Sequence, residues 1–79
     1  MKIEELKLLI DSGELHHATY RNLGNLWEGL YIYRKVHTPM GFELAGGFNR
    51  RMEPEAMEAA EMLLRTIRVP VCLGSYGNG

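Results

Sequence analysis

WEGLYIYRKVHTPMGFELAGGF occupies residues 27–48, and the rest of the chain can be arranged around it. It holds the only tryptophan, two of the four tyrosines and both phenylalanines. Alternating side chains from Glu28 to Val36 predict a strand, and a second strand is predicted to start at Phe42. Residues 37–41 have a length that is common in hairpin loops. The sequence therefore predicts a β-hairpin.

The two faces of this hairpin are predicted to differ. One face is expected to line the core, and its residues are Leu30, Ile32, Val36, Phe42, Leu44, Gly46 and Phe48. By the same alternation Arg34 falls on this face. The other face is expected to stay open, and it carries Tyr31, Tyr33, Lys35, Glu43 and Ala45. Gly46 and Gly47 weaken the second strand and suggest a bulge or a close backbone approach.

Two amphipathic helices flank the hairpin. Ile3, Leu6, Leu9 and Ile10 form an apolar stripe, and Gly13 suits the left-handed position after a helix end. The second helix is predicted to begin at Pro54 and to run through residues 55–68, where an apolar stripe has no breaker. Each stripe needs an apolar surface to cover it.

Three shorter segments complete the chain. Residues 17–21 are predicted to form a strand, followed by a turn at residues 22–25. Val69–Leu73 reads as a short strand that Pro70 confines to an edge. We expect an α+β fold, a three-stranded antiparallel meander with two helices on one face and a short C-terminal edge strand. Residues 1–73 are predicted to be one domain and residues 74–79 a flexible Gly-rich tail.

Charge is distributed unevenly along the 79 residues, although the formal net charge is −1. Basic residues exceed acidic ones by three in residues 15–52, whereas acidic residues exceed basic ones by two in each flank. No apolar run approaches the ~20 residues of a membrane span. A single cysteine excludes an internal disulfide and fits a reducing compartment. We therefore expect a cytoplasmic protein.

Catalytic and metal chemistry are not predicted. His16 and His17 would point to opposite faces of a strand and could not readily share a metal ion. Cys72 lies in a short apolar segment, which favours a packed thiol over a nucleophile. Glu28 and Glu43 are expected to be ordinary surface acids. We predict no cofactor, no metal and no enzymatic activity.

The order helix, three strands, helix resembles that of double-stranded-RNA-binding domains. In that family the second helix begins with a basic cluster that meets phosphates. In this sequence the second predicted helix begins with Glu53-Pro54-Glu55, and Glu58 follows. These acids would repel a nucleic-acid backbone. The resemblance is one of element order alone.

The function predicted from these patterns is binding to another protein without catalysis, as an adaptor or inhibitor. Small size suggests an accessory protein of a phage or mobile element, for example an inhibitor of host defence. A homodimer through the same surface is a further expectation, and the alternative is single-stranded nucleic-acid binding by the basic aromatic hairpin. The predicted binding residues are Trp27, Tyr31, Tyr33, Arg34, Lys35, Arg50 and Arg51.

Overall fold

A computed structural model describes residues 1–22, 27–37, 39 and 41–74. They form two helices and a four-stranded sheet, so the predicted α+β fold is confirmed. The helices are α1 (Ile3–Ser12) and α2 (Pro54–Ile67). The strands are β1 (Leu15–Asn22), β2 (Trp27–Lys35), β3 (Phe42–Asn49) and β4 (Val71–Gly74).

The sheet has the strand order β3-β2-β1-β4. β1, β2 and β3 form the predicted antiparallel meander, and β4 pairs with the outer side of β1 in parallel. The predicted edge strand is therefore present, and it extends to Gly74, the first residue of the predicted tail. Parallel strands need a crossover connection, and α2 provides it between β3 and β4.

The helix boundaries follow local signals that the sequence carries. The backbone N–H of Lys2 donates to the Glu5 carboxylate over 2.8 Å at the start of α1. Gly13 ends α1 with a φ of 76°, a conformation that glycine adopts without steric cost. Pro54 is the first residue of α2, as predicted. Arg68 ends α2 in the same left-handed region, with a φ of 59°.

Both helices pack on one face of the sheet, as predicted. Leu6 of α1 and Met57 of α2 are fully buried, and so are Leu30 and Ile32 of β2. The core consists of Leu6, Leu9, Ala18, Leu30, Ile32, Phe48, Met57, Ala60 and Leu64. Burial of these apolar side chains is the main favourable contribution to folding.

A β-bulge interrupts the pairing of β2 with β3. Ile32 lies opposite Gly46, whereas the next residue of β2, Tyr33, lies opposite Leu44. Ala45 is therefore an extra residue in β3. An extra residue moves every following side chain to the other face of the sheet, because the side-chain period of a strand is two.

The bulge corrects the predicted faces of β3. Phe42 and Leu44, predicted to lie in the core, lie on the face away from the helices, where Leu44 is 53% exposed. Glu43 and Ala45, predicted on the open face, lie on the helix side instead. The prediction was wrong because it carried one alternation through the whole strand. The Gly46-Gly47 pair did mark a bulge, one residue from its actual place.

Candidate binding face

The side of the sheet away from the helices is the candidate site, and we call it the open face. Both helices cover the opposite side, so no helix or strand within the described residues covers this one. Register and alternation assign ten larger side chains to it. They are His16, His17, Thr19, Arg21, Tyr31, Tyr33, Lys35, Phe42, Leu44 and Cys72.

Four rings pack together at one end of the open face, and we call them the ring cluster. The ring of His17 stacks on that of Tyr33, with centroids 4.6 Å apart and planes within 3° of parallel. Phe42 stands edge-on to both, at 4.9 Å from His17 and 5.7 Å from Tyr33. His16 completes the cluster at 4.8 Å from Phe42. Such contacts stabilise aromatic pairs beyond the area that they bury.

A second bulge creates this arrangement. Leu15 pairs with Arg34 and His17 pairs with Tyr33, so His16 is an extra residue in β1. The predicted opposite orientation of the two histidines is therefore wrong, since both rings reach Phe42. The sequence gives no signal for this bulge, because a histidine pair is compatible with either register.

The two histidines also contact each other directly. Their Nδ1 atoms lie 2.8 Å apart, a hydrogen-bond distance at which one nitrogen must carry a proton and the other must accept it. Burial lowers the pKa of His17 from its ordinary value of 6.5, and the charge of a protonated His16 lowers it further. Both causes favour the neutral form of His17.

At the other end of the open face, Tyr31 lies over two glycines. A Cβ atom at Gly29 or at Gly47 would lie 3.3 Å from the Tyr31 ring, which shows how closely the ring approaches the backbone. The Arg21 guanidinium carbon lies 4.9 Å from the centre of this ring, within the range of a cation–π contact. A shallow groove of about 310 Å³ lies beside it, and its lining includes Tyr31, Leu44, Gly47, Asn49 and Glu53.

Two cations, Arg21 and Lys35, are among the strand residues of the open face. Two acids lie at its margins. Glu53 lines the groove beside Tyr31, and the carbonyl of Glu14 accepts from the backbone N–H of Lys35. Glu43 lies on the helix side, in an ion pair with Arg34 at 2.5 Å. The strand residues of the open face are therefore basic and aromatic.

The other predicted binding arginines lie elsewhere. Arg51 pairs with the buried Glu28 at 2.6 Å, and Arg50 pairs with Glu61 at 3.0 Å. Both pairs are on the helix side, as is Arg34. Tyr31, Tyr33 and Lys35 therefore lie together on the open face. The three paired arginines lie on the other side of the sheet. Trp27 begins β2, and its side chain lies outside the described residues.

Cys72 differs from its prediction. It is exposed rather than packed, because β4 is an edge strand and Cys72 lies beside Thr19 on the open face. The predicted turn at residues 22–25 and the predicted loop at residues 37–41 fall partly outside the described residues, and residues 75–79 of the predicted tail do so entirely.

One cluster on the helix side has no counterpart in the sequence prediction. The Tyr20 hydroxyl donates to the Glu61 carboxylate, which also accepts from Arg50. Burial and the Glu61 contact raise the pKa of Tyr20 to about 12. Burial acts to raise the pKa of Glu61, but hydrogen bonds from Arg50 and Tyr20 outweigh it and leave that pKa below 4.5. Three ordered polar groups here join β1, α2 and the end of β3.

Metal-binding clusters and membrane-spanning helices are absent from the described residues. No three side chains of His, Cys, Asp or Glu converge there as a metal site. Neither α1 nor α2 is long and apolar enough to cross a membrane. Comparison with protein-family models, curated proteins and solved structures found no match to this chain.

Proposed function

We propose that this protein is a non-enzymatic module that binds another protein through the open face. The observation that carries the proposal is an uncovered sheet face that combines a ring cluster, an arginine over Tyr31 and the exposed side chain of Leu44. Tyrosine and arginine are enriched among the residues that contribute most to protein interfaces. Rings already held by their neighbours also lose little conformational entropy on binding.

The charge of the open face indicates the chemistry of the partner. Arg21 and Lys35 lie at its two ends, with Leu44 and the aromatic rings between them. An apolar centre with charges around it is the common pattern of a protein interface. We infer a partner surface that is apolar at its centre and acidic at its rim, since complementary charge favours association.

Single-stranded nucleic acid is the alternative class, and the geometry favours it less. Nucleic-acid binding by a sheet uses exposed ring faces on which bases stack. Here His17 already covers one face of Tyr33, and the Arg21 guanidinium lies over Tyr31. Arg34, Arg50 and Arg51, which would have supplied phosphate contacts, are paired with carboxylates.

We extend the proposal, on size and composition alone, to a cytoplasmic adaptor or inhibitor of the accessory kind that phages and mobile elements encode. Self-association through the open face belongs to the same proposal. Sedimentation would give a mass near twice 9.0 kDa for a homodimer. A monomeric mass at micromolar concentration would leave a different protein as the partner.

Matched charge substitutions test the binding face. Leu44→Glu places a carboxylate on the open face, and Met62→Glu places one on an equally exposed apolar site of α2. Proteins captured from the native host by the unmodified chain would be identified by mass spectrometry and their affinities measured by calorimetry. We expect Leu44→Glu to weaken binding by about tenfold or more, and Met62→Glu to leave it within about twofold.

Two further measurements complete the test. Tyr31→Ala combined with Tyr33→Ala is expected to weaken the same interaction, provided that circular dichroism shows an intact fold. Equal affinity of the unmodified, Leu44→Glu and double tyrosine variants would refute the proposed face. A salt-sensitive shift of labelled single-stranded DNA or RNA at ~50 mM salt would instead support the nucleic-acid alternative.

A further inference from the structure

The contact between His16 and His17 holds part of the open face together. The Nδ1 atoms are 2.8 Å apart, while the His17 ring stacks on Tyr33 and both imidazoles abut Phe42. Movement of either imidazole therefore disturbs the other three rings.

The proton positions in this pair follow from the geometry. When both rings are neutral, one Nδ1–H donates to the lone pair of the other Nδ1, so the two histidines are different tautomers. A first added proton binds the free Nε2 of the donor ring, which leaves the contact intact and adds charge to it. A second proton has to bind the accepting Nδ1. That step replaces a hydrogen bond by two opposed N–H groups and two positive charges.

We propose that the His16–His17 pair is a pH-dependent latch of the ring cluster. The latch is closed while the two imidazoles are hydrogen-bonded, with up to one added proton. It opens when a second proton binds and the imidazoles separate. Opening separates the two imidazoles, because two N–H donors cannot remain 2.8 Å apart without an acceptor. The stack of His17 on Tyr33 is then lost or rearranged. The latch is a property of the free protein and does not require that the open face binds a protein.

The surrounding groups set the direction of the pH dependence. On this face, Arg21 of β1 and Lys35 of β2 are cations, Tyr33 of β2 stacks on His17, and Cys72 of β4 lies beside Thr19. Glu43 of β3 lies on the helix side in its ion pair with Arg34, and Glu14 directly precedes β1 and lies opposite Lys35. Burial and the neighbouring His16 charge lower the pKa of His17, which moves the second protonation toward more acidic pH. The latch is therefore closed at neutral pH and opens in acid.

Nuclear magnetic resonance of the imidazole nitrogens tests the latch directly. At neutral pH we expect one of the two histidines to carry its proton on Nδ1 and the other on Nε2. On acidification the pair should bind its two protons in separate steps, as strongly interacting groups do. The ring signals of Tyr33 and Phe42 should shift with the second step.

Two variants separate the latch from other effects of acid. His16→Gln removes one titrating ring and is expected to leave a single step for His17, with the shift of the Tyr33 and Phe42 signals at that step reduced. His37→Gln alters a histidine outside the ring cluster and should leave both steps of the pair unchanged. Backbone amide signals of α2 should persist throughout, which shows that the fold is intact.

Three results would overturn the latch. One is the same Nε2–H tautomer on both histidines at neutral pH. Another is titration of the pair in one step with no change in the ring signals of Tyr33 and Phe42. The third is loss of the α2 amide signals together with the second step, because the transition would then be global unfolding.

Discussion

The hydroxyl of Tyr20 donates a hydrogen bond to the carboxylate of Glu61 and thereby joins β1 to α2. Arg50, directly after β3, donates to the same carboxylate over 3.0 Å. The Glu61 side chain is only 17% exposed, so water competes weakly for these bonds. One carboxylate therefore connects three parts of the fold.

Tyr20 is expected to ionise near pH 12, two units above its ordinary value of 10. The folded protein then keeps a proton that the unfolded chain loses, so this contribution to stability is complete below pH 10 and is lost as the pH rises toward about 12. Ultraviolet absorbance of tyrosinate should show a step near pH 12 that Tyr20→Phe removes and Tyr31→Phe retains. A step that persists in Tyr20→Phe would contradict this assignment.

Glu61→Gln should make the free energy of unfolding less dependent on pH in the acidic range. The folded-state pKa of Glu61 lies below its ordinary 4.5, so the stabilisation is present above that value and is lost as the pH falls through the folded-state pKa. At pH 7 we expect the substitution to lower the free energy of unfolding by about 1.5–3 kcal/mol, the usual range for a hydrogen bond to a charged group. Urea unfolding at pH 7 and pH 3 measures both effects. The difference between unmodified protein and variant should shrink at pH 3.

Gly47→Ala should be more destabilising than Gly29→Ala, although both glycines lie under the Tyr31 ring. A Cβ at Gly47 would come within 3.1 Å of the Leu30 carbonyl oxygen, which belongs to the central strand and cannot readily move. At Gly29 the nearest atom belongs to the Tyr31 ring, and the nearest backbone atom is 3.6 Å away. We expect Gly47→Ala to cost about 1–3 kcal/mol, as overpacking does, and Gly29→Ala less. Equal losses on urea unfolding would show that the ring, not the carbonyl, limits the space.

Deletion of Ala45 should preserve the ring cluster, because Ala45 is the extra residue of the bulge. Its removal leaves a regular strand in which Phe42 stays on the open face and Glu43 stays on the helix side. The contact of Phe42 with Tyr33 and the ion pair of Glu43 with Arg34 should therefore persist. Ala45→Gly retains the bulge and is the control. Nuclear Overhauser effects between the Phe42 and Tyr33 rings should be present in both variants, and their loss in the deletion alone would show that the bulge itself is required.

Some structural signals in this sequence are local. Pro54 and Gly13 mark helix ends through their own backbone preferences, and Leu30 and Ile32 lie in the core because β2 keeps one alternation throughout. Bulges are different, because an extra residue is specified by the partner strand and not by the strand's own pattern. Ala45 is small and apolar and so fits either face.

The errors in the predicted binding site arise from the same two bulges and from tertiary contacts. The sequence placed Tyr31, Tyr33 and Lys35 on one face, but not His16, His17 and Phe42 beside them, since both bulges intervene. It also could not pair Arg34, Arg50 and Arg51 with their carboxylates. Those ion pairs depend on strand register and on the position of α2, which are tertiary features.

Alanine substitutions at Leu30 and Leu44 give the sharpest energetic test of the two faces. The sequence pattern predicts both leucines in the core, whereas in the structure Leu30 is fully buried and Leu44 is 53% exposed. Leu30→Ala should therefore lower the free energy of unfolding by about 2–5 kcal/mol, through lost burial and a cavity. Leu44→Ala should cost about 0.5 kcal/mol or less, as exposed substitutions usually do. Urea unfolding of both variants measures the difference directly. A loss of several kcal/mol at Leu44 would place it in the core and restore the unbroken alternation of β3, whereas a small loss there leaves its side chain available to a partner.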